Sequence, residues 1–384
     1  MLKRKYGKTG EEVTAIGFGG MRFPEPSNIE KCAELVRYAY EKGINYFDTA
    51  PGYCEDKSQE IMGVALSGLP RESYYISTKC AAPKAEDLRK SLEKSLELLK
   101  VDCIDFFHIW WVCSLESWQG RLDGGAVAEA FKARDEGLIK HVVVSSHLPG
   151  GELGKVLLDA PFEGATLGYN AINFPYRQQA LDIAHEKNLG VVTMNPLSGG
   201  IIPQQAERFS FLKQSDDDNV VDSALRFNLS QPGVTCALVG FANKAEVDQA
   251  VAVAEDFTPY TQEQIKAIES NILDSFEGLC TGCGYCLPCP AHINIPKFMD
   301  AYNMRILQDD KPDTIVNRLK WHWQEQWQTA GTCINCGFCE TRCTQHLPIR
   351  ERLQHIANLP VEPEQKKEIP LSMANKKESE NSDK

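Results

Sequence analysis

Cys280, Cys283, Cys286 and Cys289 recur with two residues between neighbours, and Pro290 follows the last of them. Cys333, Cys336 and Cys339 repeat that spacing, with Cys343 one residue further on. Three thiolates so spaced on a tight, glycine-containing loop grip one cubane. The fourth cysteine of each run points away and ligates the other cluster. The spacing therefore predicts two [4Fe–4S] clusters with crossed ligation. Cys280, Cys283, Cys286 and Cys343 hold one, and Cys333, Cys336, Cys339 and Cys289 hold the other. Zinc sites use pairs of CxxC rather than triplets with a distal fourth ligand. Two details depart from the usual run: only two residues precede Cys289, and Thr344 follows Cys343 where proline is common. Both bear on loop shape more than on ligand identity.

A second set of reactive side chains lies near the N-terminus. Asp48 ends a short apolar run, Tyr53 follows five residues later, Lys79 ends the next run, and His108 sits within the one after. Together they form a proton-donor constellation. An ammonium beside a phenol stabilises the phenolate, and a carboxylate holds that ammonium charged and in place. The competing reading is a buried Asp–Lys pair with a core tyrosine, which three residues in order on successive runs make the poorer account.

These residues need strand ends to present them. Short apolar runs at Ala15–Phe18, Ile44–Phe47, Tyr74–Ser77, Ile104–Trp111, His141–Ser145, Ala165–Tyr169, Gly190–Met194 and Cys236–Val239 read as strands. Helix-period stretches follow each: Ile29–Glu41, Ser58–Leu66, Ala85–Leu99, Gly125–Glu136, Glu152–Leu158, Arg177–Lys187, Val220–Leu229 and Asn243–Ala252. Eight such alternations predict an α/β fold, a (β/α)8 TIM barrel, with its chemistry at the C-terminal ends of the strands. Met1–Thr14 reads as a leading hairpin and Thr261–Ser275 as a helix leaving the barrel. Between the cysteine runs, Pro296–Leu307 and Pro312–Thr329 read as helices. The tryptophans of the second, Trp321, Trp323 and Trp327, are expected to pack around the clusters or against the barrel. The expected division is a barrel over 1–275, a small helical ferredoxin-like two-cluster domain over 276–350, and a polar, disordered tail over 351–384.

The stretches Gly17-Phe-Gly-Gly-Met-Arg22, Asp48-Thr-Ala-Pro-Gly-Tyr53, Ser77-Thr-Lys79, Val144-Ser-Ser-His147 and Met194-Asn-Pro-Leu-Ser-Gly-Gly200 resemble the aldo-keto reductase superfamily. The segment Cys280-Thr-Gly-Cys-Gly-Tyr-Cys-Leu-Pro-Cys-Pro290 resembles its branch with a C-terminal dicluster ferredoxin-type domain. The resemblance implies a catalytic set of Asp48, Tyr53, Lys79 and His108, and NAD(P)H lying across the barrel mouth. It implies cofactor contacts from Gly19, Met21, Ser145, Asn170, Met194, Pro196, Leu197, Gly199, Gly240, Asn243 and Lys244. The chain departs from that pattern in places. Trp110 stands where the family has its histidine, and alternation puts His108 one layer deeper on the same face. Thr166 replaces the family's glutamine. Phe241 and Val247 replace the bases that hold a 2′-phosphate. These departures point to NAD rather than NADP, or to weak or lost nicotinamide binding.

Fourteen cysteines read as metal ligands and free thiols of a reducing, cytoplasmic compartment rather than as a disulfide framework. A formal net charge of −12 argues against nucleic acid as a partner and suits docking to a basic patch on a redox protein partner. No run of about 18 apolar residues predicts membrane insertion. The leading reading is an iron–sulfur oxidoreductase interconverting a carbonyl and an alcohol on a small organic substrate. Two alternatives stand beside it: an electron-transfer subunit with a degenerate barrel, and a non-hydride enzyme using Tyr53 and Lys79.

Overall fold

The structure, a computed structural model, describes residues 1–214, 219–275, 278–280, 282, 284, 286–307, 311–343 and 345–361. A hairpin of β1 (Lys3–Lys5) and β2 (Glu12–Thr14) opens the chain. Eight parallel strands then close a barrel: β3 (Ile16–Gly19), β4 (Tyr46–Asp48), β5 (Tyr75–Cys80), β6 (Ile104–Val112), β7 (Ile139–Ser146), β8 (Gly164–Gly168), β9 (Gly190–Met194) and β10 (Val234–Val239). They pair in chain order, and β10 returns to β3. This is the expected (β/α)8 barrel.

The surrounding helices are α1 (Ile29–Glu41), α2 (Ser58–Leu66), α3 (Ala85–Leu99), α4 (Leu115–Asp123), α5 (Ala126–Asp135), α6 (Gly150–Asp159), α7 (Phe174–Glu186), α8 (Ile201–Gln204), α9 (Val220–Leu229) and α10 (Lys244–Glu255). Sequence periodicity did not resolve α4 and α8. Side-chain caps fix several starts. The Asn28, Asn219 and Asn243 side chains accept from the backbone three residues on, and Ser114 and Ser117 form a capping box.

The N-terminal end of the barrel is sealed. Tyr6, at the hairpin turn, stacks on Phe106 with ring centroids 4.2 Å apart and packs with Tyr46, Val143, Val192 and Cys236. A Cβ on Gly190 would stand 2.1 Å from the Tyr6 ring, so that strand carries glycine to admit the plug. The plug leaves the C-terminal mouth of the barrel as its open end.

Helix α11 (Gln262–Ser275) leads to the cysteine-rich region, built from α12 (Ile295–Leu307), α13 (Pro312–Asn317), α14 (Phe338–Thr341) and α15 (Ile349–Ala357). It has its own core around Phe298, Ile315, Leu319 and Leu353. The expected single helix over Pro312–Thr329 is instead three pieces: α13, a π turn over Arg318–Trp323 and a 3-10 turn over Trp327–Thr332. The break turns Trp323 inward, 2% exposed, over the Arg177 guanidinium of the barrel. Residues 351–357, expected to begin the tail, complete α15 because Leu353 and Ile356 are buried in that second core. Residues 362–384 of the expected tail lie outside the described residues. Among the described residues, no helix is long and apolar enough to cross a membrane.

Candidate active site, cofactor cleft and cluster region

The parallel register places Asp48 beside Ser77 and Lys79 beside His108. The buried Lys79 ammonium donates to Asp48 Oδ1 at 2.5 Å and to the Thr49 carbonyl at 2.7 Å. Its Nζ lies 5.2 Å from the centre of the Tyr53 ring. Burial lowers the Lys79 pKa and the Asp48 carboxylate opposes that. Burial first, and Asp48 second, raise the Tyr53 pKa, so the phenol is held protonated at neutral pH. Sequence reasoning anticipated a shift in the other direction. Lys79 spends its charge on Asp48 and a carbonyl, so little of it acts on the phenol.

His108 is fully buried. Ser77 Oγ donates to Asp48 Oδ2 at 2.8 Å and lies 2.8 Å from His108 Nε2. Burial, then the Lys79 charge, push the imidazole pKa well down, leaving it neutral. His108 thus supports Asp48 through Ser77. The wall beside Tyr53 belongs to Trp110, whose ring stands edge-on at 5.7 Å. The register of β6 against β7 shifts between Ile109 and Val112, and Trp111 takes a φ of +58°. This bulge aims Trp110 at Tyr53, while the Trp111 indole N–H donates to the Trp321 carbonyl. The buried Arg121 guanidinium braces the bulge by donating to the Trp110 carbonyl at 2.9 Å.

A cleft of about 400 Å³ runs between the loops after β3, β9 and β10. Pro196, Leu197, Gly199 and Gly240, all expected cofactor contacts, line it. Gly199 and Gly200 have φ of +68° and +97°, which leaves the loop free of side chains where a phosphate would rest. Arg22 and Glu246 also line the cleft, and neither was assigned from sequence. The Glu246 carboxylate accepts from the Ala242 N–H at 2.8 Å, so it already occupies the N-terminus of α10. Lys244 does not line the cleft: its ammonium lies 4.8 Å from the centre of the Tyr38 ring. Asn170 is committed to its own loop. Its Oδ1 accepts from Ile172 and Asn173, and its Nδ2 donates to the Asn195 carbonyl. Ser145 is buried, Met194 is partly buried, and Met21 is 57% exposed. Thr166 Oγ1 is buried without a partner.

In the cysteine-rich region, Cys289, Cys333, Cys336 and Cys339 line one small cavity. They are the four expected on one cluster. Cys286, expected on the other, also borders that cavity. Cys280 and Cys343 each lie close enough to the Arg352 guanidinium to act on it electrostatically. The Gly282 N–H donates to Cys280 Sγ and the Leu347 N–H to Cys343 Sγ, each at 3.4 Å. Amide donors aimed at thiolate sulfur are what a cluster site supplies. Among the described residues, no three His, Cys, Asp or Glu side chains converge on a point fit for one metal ion. Cys283 lies outside the described residues.

The profile of the Aldo/keto reductase family matches residues 15–272. The chain belongs to the aldo/keto reductase family. A second profile, the 4Fe-4S dicluster domain, matches residues 279–348, so this aldo/keto reductase is an oxidoreductase with an iron–sulfur domain appended. An L-galactose dehydrogenase from Arabidopsis thaliana is 28% identical over 312 residues, 72% of this chain and 95% of that protein. An NADH-specific methylglyoxal reductase from Escherichia coli K12 is 24% identical over 215 residues, 51% of this chain and 65% of that protein. An aldo-keto reductase from Bacillus halodurans, solved in its holo form, is similar in fold. Its TM-score is 0.63 at 21% identity, over 70% of this chain and 96% of that one.

The reductase thus brings Asp48, Lys79 and Tyr53 together and sets His108 beneath them. Sequence reasoning passed over Ser77, although two-residue alternation puts it on the same strand face as Lys79. It also passed over Glu246, three residues past an asparagine cap, which is a capping signal.

Proposed function

We propose that this reductase interconverts a carbonyl and an alcohol on a small organic substrate with NADH in preference to NADPH, and that it holds two [4Fe–4S] clusters serving a redox protein partner. The observation that carries the reading is the buried Asp48–Lys79 pair set beneath Tyr53 at the open end of the barrel. A scaffold has no use for that set.

A bound nicotinamide supplies hydride. Tyr53 holds the proton for the carbonyl oxygen, Lys79 steadies the charge that forms there, and Asp48, itself held by Ser77 and His108, keeps Lys79 in place. A phenol with a raised pKa still protonates an alkoxide, which is a far stronger base, but is hard to ionise for the reverse step. Trp110 shapes the substrate wall. The preference for NADH rests on Glu246, whose negative charge at the cleft opposes a 2′-phosphate, and on Lys244, which is engaged with Tyr38.

Cys280, Cys283, Cys286 and Cys343 are proposed for one cluster, and Cys333, Cys336, Cys339 and Cys289 for the other. Each cluster passes one electron at a time, whereas hydride carries two. Coupling the domains needs a carrier that splits the pair.

The second reading, an electron-transfer subunit, is favoured by one observation: Trp110 packs against the group that would meet a substrate. Substituting Tyr53→Phe in the cluster-loaded protein separates the two. Loss of carbonyl turnover with cluster reduction intact supports the enzyme. Unchanged turnover sinks it.

A further inference from the structure

We propose that Tyr176 tunes the reduction potential of the cluster held by Cys280, its barrel-borne hydroxyl donating a hydrogen bond to that cysteine's sulfur. The inference rests on the reading that Cys280 ligates a [4Fe–4S] cluster.

Tyr176 lies in the first turn of α7, just past the mouth of the barrel. It is 6% exposed. Its Oη stands 3.3 Å from Cys280 Sγ and 3.4 Å from the Cys280 carbonyl. Both sides of this contact are held. The Cys280 N–H donates to Asn303 Oδ1 and Asn303 Nδ2 donates to the Cys280 carbonyl, each at 2.8 Å. The ring of Tyr176 is gripped by Gly282, where a Cβ would come within 2.2 Å of it, and by Trp323, whose ring lies 6.2 Å away. Packing alone would be served by phenylalanine. The hydroxyl has no place in the proton-transfer set around Tyr53.

An O–H aimed at a cluster thiolate stabilises the state with more negative charge, which is the reduced one, and so raises the potential. Among the described cysteines, Cys280 is the one Tyr176 touches, so the cluster on Cys289, Cys333, Cys336 and Cys339 is an internal control. The barrel thereby sets the potential of a centre in the neighbouring domain.

The test is an anaerobic, paramagnetic-resonance-monitored redox titration of the full chain loaded with iron and sulfide, after counting its iron. Tyr176→Phe is expected to lower one midpoint potential and leave the other unmoved. A tenfold change in the reduction equilibrium would read as about 59 mV. A ring-fluorinated tyrosine at position 176, a stronger donor of nearly the same shape, is expected to move the same midpoint upward. Opposite shifts of one cluster support the proposal. Both midpoints unmoved, both moved together, or shifts of the same sign overturn it. If the Phe variant loses iron that the wild type retains, the fluorinated protein alone decides. If the wild type itself lacks iron for two cubanes, the cluster reading fails and takes the inference with it.

Discussion

Trp110 presents its ring edge-on to Tyr53, with centroids 5.7 Å apart and planes at 88°, and so walls one side of the proposed proton donor. The acid therefore works against an indole wall. Its support comes from below, through the Asp48, Ser77 and His108 chain. Removing that wall should be costly. Trp110→Ala is expected to destabilise the barrel by about 3–5 kcal/mol and to admit bulkier carbonyl substrates. Thermal unfolding and a substrate series check this. An unchanged melting temperature would place Trp110 outside the packed core.

Lys79→Met should be more damaging to chemistry than to fold. It leaves Asp48 buried without its cation, so some stability is lost. Carbonyl reduction is expected to fall by about 10²–10⁴, with iron content retained. Single-turnover rates at saturating substrate measure it, and a loss under threefold would show that Tyr53 acts without Lys79.

Glu246→Gln removes the negative charge from the cofactor cleft. The ratio of dissociation constants for NADPH and NADH is expected to shift toward NADPH by about fivefold, the size of a charge effect at a helix N-terminus. Fluorescence titration with each nucleotide reads it directly. A ratio that does not move places the preference elsewhere in the cleft.

The interface between barrel and cluster domain carries an acid sensitivity. The rings of His147 and His322 meet at a tilt, with centroids 4.3 Å apart. Burial, with Arg177 and Arg318 adding to it, holds His147 down at about 3, and burial holds His322 well below its usual value. An unfolded imidazole takes its proton near 6.5. Between that value and the folded one, the unfolded chain binds more protons, so stability is full above about 6.5 and falls as pH drops. The slope is at most about 1.4 kcal/mol per pH unit for each ring. His147→Gln should flatten it, as melting temperatures from pH 7.5 to 5.5 would show. An unaltered slope would mean that His147 titrates alike in both states.

The barrel was legible because each strand is a short apolar run and each helix has its own period, both local signals. The iron–sulfur domain was legible because the spacing of its cysteine runs is local too. Asp48, Tyr53 and Lys79 could be placed because strand ends of a barrel face one way. What could not be read depends on phase or on distant neighbours. Lys244 looks like a phosphate base in sequence, yet the turn of α10 points it at Tyr38 and brings Glu246 to the cleft instead. Asn170 was expected to hold cofactor, and loop hydrogen bonds claim its amide. The split of Pro312–Thr329 follows from Trp323 docking on the barrel, which no periodicity within the segment records. The contact of Tyr176 with Cys280 joins residues from separate domains.

The bulge at Trp110 and Trp111 has two ends. One indole walls the substrate side of Tyr53, and the other is tethered to the Trp321 carbonyl of the cluster domain. Arg121 donates to the carbonyls of both residues, so the wall of the Tyr53 pocket and the seam with the cluster domain share a single brace.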